Sequence, residues 1–70
     1  MFRISYYTGK FCGQTREYTT AARAGRSVLN NLYKDMKMYY RVIEWMMSAE
    51  KSNKPHNLTV AHTIRVEYTP

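Results

Sequence analysis

The sequence predicts a small α+β domain: a four-stranded antiparallel sheet backed by one helix, in chain order β-β-α-β-β. Apolar and polar residues alternate at period two near both ends of the chain, as half-buried strands require. Between those stretches, apolar residues recur at spacings of three and four, the stripe of an amphipathic helix. At 70 residues the chain makes a single basic domain over residues 1–70, small enough that its core must be compact or completed by a partner.

Phe2, Ile4 and Tyr6 alternate with Arg3, Ser5 and Tyr7, giving a first strand over 2–8. Gly9 and Gly13 flank Lys10-Phe11-Cys12 and supply the positive φ that a hairpin connection needs. The chain returns as a second strand over 14–19, with Tyr18 facing inward. Its polarity (Gln14, Thr15, Arg16, Glu17) suits a sheet edge, where charge discourages aggregation. Thr19 or Thr20 offers a helix cap. Ala21, Ala24, Val28 and Leu32, with Leu29 widening the stripe, then set a helix over 20–34. Gly25 inside it costs about 1 kcal/mol relative to alanine, a cost that close approach of the helix to the sheet explains.

Beyond Asp35 two readings compete. Met36, Tyr39, Ile43 and Met46 continue the helical stripe, which would give one long helix over residues 20–50 and the order β-β-α-β. Against this, Tyr39 to Trp45 is crowded with aromatic and β-branched residues, which favour strand. A helix of about 30 residues would also reach about 45 Å, too long for a domain of this size. The expectation is therefore a break near Asp35 and a third strand over 38–47. Residues 48–57 are polar and hold Pro55, so they read as a long hairpin connection. Leu58, Val60, His62, Ile64, Val66 and Tyr68 then alternate with Thr59, Ala61, Thr63, Arg65 and Glu67, a fourth strand over 58–68.

Charge is the main pointer to function. Eleven Lys and Arg against five Asp and Glu leave a formal +6. Residues 1–34 hold Arg3, Lys10, Arg16, Arg23, Arg26 and Lys34 against Glu17 alone, whereas the second half is nearly balanced. Such asymmetry points to a polyanion or an acidic protein as partner. Arg23 and Arg26 fall in the first two turns of the predicted helix, where the macrodipole disfavours cations by a few tenths of a kcal/mol. With free amides and a Thr19 or Thr20 hydroxyl they would form an anion site, and arginine matches phosphate bidentately.

The leading expectation is a non-enzymatic nucleic-acid-binding module. Arg3, Lys10, Arg16, Arg23, Arg26 and Lys34 would contact backbone phosphates, and Tyr7 would stack on a base. The alternative is a protein-binding inhibitor or adaptor that docks on an acidic surface of a larger host complex through Tyr39, Tyr40, Trp45 and Met47. Tyr, Trp, Met and Arg are the residues enriched at interfaces. Small basic chains of this kind are frequent among virus- and mobile-element-encoded regulators, and a homodimer through an edge strand is compatible with either reading.

Nothing in the sequence points to catalysis, a metal or a cofactor. Cys12 has no histidine nearby in sequence to make its thiolate, and one cysteine with two histidines gives no recognised zinc spacing. Asp35 and Glu44 lie too far apart along a helix for a paired acid and base. Gly9-Lys10 lacks the phosphate-loop pattern. The single cysteine excludes an internal disulfide and fits a reducing compartment. No apolar run approaches the roughly 18–20 residues of a membrane span, and Met1 to Ser5 lacks a signal-peptide layout. A cytoplasmic protein is expected.

Overall fold

The computed structural model describes all 70 residues. It runs β1 (Phe2–Tyr6), β2 (Thr15–Tyr18), α1 (Ala21–Leu32), α2 (Met36–Ser52), β3 (His56–Val60) and β4 (Ile64–Tyr68). The strands form one antiparallel sheet in the order β2-β1-β4-β3, with both helices on one face. The α+β class, the four antiparallel strands and the edge position of β2 agree with the sequence; the helix count does not. No helix is long and apolar enough to cross a membrane.

The predicted third strand over 38–47 is instead the body of α2. Val42, Met46 and Ala49 fall on one helical face and are buried, and that stripe outweighs the aromatic and β-branched bias of Tyr39 to Trp45. The single long helix is also absent. A break does fall at Asp35, whose carboxylate accepts the Met38 N–H at 3.2 Å and caps α2. The chain thus folds back as two helices rather than one. The 17 residues of α2 span about 25 Å at 1.5 Å per residue, within the 29 Å length of the domain. At its far end Asn53 takes a left-handed φ of 52° and donates its N–H to Ala49 O at 3.0 Å.

The predicted fourth strand over 58–68 is a hairpin. Val60 pairs with Ile64 and Leu58 with Val66, with Ala61 to Thr63 as the turn. His62, expected on the buried face, is exposed in this turn at φ 58°, and Thr63 N–H closes it on Val60 O at 2.9 Å. Histidine is among the few non-glycine residues enriched at positive φ. Residues 48–57 are correspondingly not a long loop: α2 runs to Ser52 and β3 starts at His56.

The core lies between sheet and helices. Phe2, Ile4, Tyr6, Ile64, Val66 and Tyr68 come from the sheet, Ala21, Ala24, Val28 and Leu32 from α1, and Val42, Met46 and Ala49 from α2. Large apolar side chains of this kind contribute roughly 1.5–3 kcal/mol each on burial. Thr20 caps α1, accepting the Arg23 N–H at 3.3 Å, and Glu50 Oε2 accepts the Ala21 N–H at 2.8 Å. Gly25 serves close approach, though not to the sheet: a Cβ there would overlap Ile43 Cδ1 of α2. The two helices therefore seat directly on one another.

Candidate docking surface

Two broad surfaces face outward. The open face of the sheet is polar. Arg3 stands opposite Glu17 on β2 and Glu67 on β4, and Arg65 stands between Ser5 and Thr59. Arg65 Nε lies 3.7 Å from Glu67 Oε1, the one ion pair in the chain. Cross-strand opposite charges of this kind contribute about 0.2–1 kcal/mol and leave little net field.

The outer face of the helices differs in both polarity and charge. Leu29 and the C-cap residue Tyr33 are one turn apart at the end of α1; Met36, Tyr40 and Met47 align on α2. All five are exposed, with Tyr40 60% and Met47 61% accessible. Arg23, Arg26, Lys34, Lys37, Arg41 and Lys51 are exposed on the same two helices and their turn. Two of the three acids in this segment are engaged at helix N-termini, Asp35 on Met38 N–H and Glu50 on Ala21 N–H. A capping carboxylate keeps its charge, so with Glu44 the segment sets six cations against three acids and stays net positive.

A third feature lies where the β1–β2 loop meets the α1–α2 turn. Gly9 and Gly13 both take positive φ, 84° and 82°, so the loop doubles back as the sequence predicts. Asn31 pins it: Oδ1 accepts the Phe11 N–H at 2.7 Å and Nδ2 donates to Thr8 O at 3.1 Å. Phe11 is thereby driven into the end of the core, edge-on to Tyr6 at 5.4 Å. Beside the loop, Thr8, Lys10, Tyr33, Lys34, Met38 and Thr63 line an open cleft of about 590 Å³.

The expected phosphate-contacting residues do not gather into one surface. Lys10 and Lys34 share the cleft, and Arg23 and Arg26 lie on the exposed side of α1. Arg3 is on the opposite, open face of the sheet among acids. Arg16 lies over the Phe11 ring, 3.7 Å from its centroid, with Nε donating to Gln14 Oε1 at 3.0 Å. Tyr7 is exposed where β1 ends.

Of the residues expected at a protein interface, Tyr40 and Met47 point outward, whereas Tyr39 and Trp45 are half-buried on the flanks of α2. Leu29, Tyr33 and Met36 complete the exposed apolar set. Leu29 had read as part of the core stripe; its spacing to Tyr33, off the Ala24–Val28 line, is the signal that separates the two faces. No protein-family model, curated protein or solved structure matches this chain.

Proposed function

We propose that this protein is a small non-enzymatic docking module, an inhibitor or adaptor that binds an acidic protein surface through the outer face of its two helices. The observation that carries this reading is the coincidence of Leu29, Tyr33, Met36, Tyr40 and Met47 with an excess of free Lys and Arg on one face. Exposed apolar side chains rimmed by charge mark interaction surfaces, and Tyr, Met and Arg are enriched at interfaces, with Tyr and Arg also common among hot spots. The cations add electrostatic attraction that speeds encounter and orients the complex. A duplex backbone needs the cations but gains little from methionine and leucine.

Affinity capture on the immobilised protein tests this. A bound protein should survive nuclease treatment and raised salt, and be lost with the Tyr40→Ala/Met47→Ala pair. Capture that vanishes on nuclease treatment, or that the pair leaves intact, would sink the docking reading.

The second reading is nucleic-acid binding, favoured by the Lys10–Lys34 cleft with Tyr33 on its wall. Here the cleft lysines, with Arg23 and Arg26, hold phosphates and Tyr33 stacks on a base. Binding of single-stranded RNA or duplex DNA with a steep salt dependence, weakened by Lys10→Gln and Lys34→Gln, is its signature.

A further inference from the structure

We propose that the free edge of β3, with the groove between β3 and α2, is a second site, which captures an extended acidic segment of a partner protein as a fifth strand. This site lies apart from the outer helix face and shares none of its exposed Leu, Tyr and Met side chains.

The two edges of the sheet are built differently. The β2 edge carries Arg16 and Glu17, and α1 packs over it, the charged protection expected of an edge. The β3 edge, His56-Asn57-Leu58-Thr59-Val60, carries no Lys, Arg, Asp or Glu, and Pro55 precedes it rather than interrupting it. Its outer row of N–H and C=O groups has no partner strand. Leu58 and Val60 are only half-buried, because α2 lies over β4 and stops short of covering the edge.

A groove runs beside this edge. Trp45, Ser48 and Leu58 line one part, about 430 Å³, and Trp45, Ser52 and His56 the next, about 290 Å³. Its wall is already fixed. Trp45 stands edge-on to His56 at 6.4 Å, and Ser52 Oγ lies 3.1 Å from His56 Nε2. An unpaired strand edge matches only another extended backbone, and a flanking groove takes every second side chain of the added strand. Trp45 and Leu58 make that position apolar.

Charge selects the occupant. Arg41 and Glu44 line one end of the groove and offset each other, and Lys54 stands two residues before His56 in the chain, so the net charge of the whole chain decides. A second copy of a +6 chain would meet like-charge repulsion, whereas an acidic segment meets attraction.

The probe is a mixture of N-acetylated octapeptides in which Asp or Glu alternates with Leu, Val, Ile or Phe. At a peptide concentration of about ten times Kd, exchange of the outward β3 amides should slow about tenfold. Trp45, the only tryptophan, should shift its fluorescence in step. Peptides N-methylated on the pairing edge should fail to bind, and those methylated on the other edge should bind. No slowing at β3, or equal binding of both methylated sets, overturns the proposal. Slowing that instead follows protein concentration without peptide overturns it in favour of a homodimer. The Tyr40→Ala/Met47→Ala pair should leave peptide binding unchanged, so failure here is separable from failure of the helix-face reading.

Discussion

On the open face of the sheet Arg3 is answered by Glu17 and Glu67 on the two neighbouring strands, and Arg65 by Glu67 two residues along its own strand. On the outer face of the helices Arg26 and Lys37 share the surface with Leu29, Tyr33, Met36, Tyr40 and Met47, and the nearby acids Asp35 and Glu50 cap helices instead. One face has its charges balanced and its apolar residues turned inward. The other has neither. Both belong to a protein of about 8.3 kDa with little surface to spare, and this contrast is what the docking proposal rests on. It also shows why net charge alone is a poor guide: the Arg3 charge counts toward +6 yet produces little field where it sits.

The sharpest test of the contrast uses two adjacent residues. Met46 is fully buried beneath α2, and Met47 is 61% exposed above it. Met46→Ala should destabilise the fold by about 2–5 kcal/mol in chemical denaturation, through lost burial and the cavity left behind. Met47→Ala should stay within about 0.5 kcal/mol of the parent while weakening docking. Comparable losses from both would mean that the outer face is part of the folded core.

Next in size is Asn31, which ties the β1–β2 loop to α1. Asn31→Ala strands the Phe11 N–H and frees Thr8 O, which should cost about 2–3 kcal/mol and speed amide exchange in residues 8–13. Unchanged exchange there would show that the glycines alone set the loop.

The sequence made β1, β2 and α1 legible, with the helix cap narrowed to Thr19 or Thr20, because each is a local pattern with its own punctuation. It misled at two places for distinct physical reasons. In α2, β-branched and aromatic residues gave a strand propensity that only tertiary burial of Val42, Met46 and Ala49 overrides. In the last segment, a turn centred on His62 pairs Val60 with Ile64 and Leu58 with Val66. These partners share parity, so the alternation is the same whether the chain runs straight or folds back. Ala61-His62-Thr63 contains no glycine, asparagine or proline to mark the bend. The candidate surface was half legible: Tyr40 and Met47 stood out by type, whereas Leu29 and Met36 needed the helix pair to show which face is bare.

A smaller effect lies at the seam between the sheet and α1. Tyr6 OH is 2.6 Å from Ser27 Oγ in the core, and burial pushes its pKa from 10.0 up to about 12, with the Ser27 hydrogen bond partly opposing the shift. Tyr6→Phe leaves the Ser27 hydroxyl unpaired and should cost about 1–2 kcal/mol. Because the folded state holds the phenolic proton more tightly than the unfolded state, this contribution is full below pH 10 and declines as pH rises toward about 12. Alkaline denaturation of the parent should therefore be steeper in that window than that of Tyr6→Phe. Identical slopes would mean that Tyr6 is more solvated than its burial implies.

The smallest energetic effect bears most directly on the contrast between the faces. Arg3→Gln on the open sheet, and Arg26→Gln with Lys37→Gln on the helices, should each change stability by less than about 0.5 kcal/mol, since exposed charges contribute little to folding. Their effect on a heparin column should differ. Arg3 is flanked by Glu17 and Glu67, so its loss removes a cation whose field is already cancelled, and elution should barely move. Arg26 and Lys37 have no acid three or four residues away on their helices, and their loss should lower the salt needed for elution clearly. If Arg3→Gln moved elution as far as the helix-face pair does, the sheet face would carry as much free positive field as the helices. Charge would then no longer distinguish the two surfaces, and the exposed Leu, Tyr and Met side chains alone would have to explain which one a partner meets.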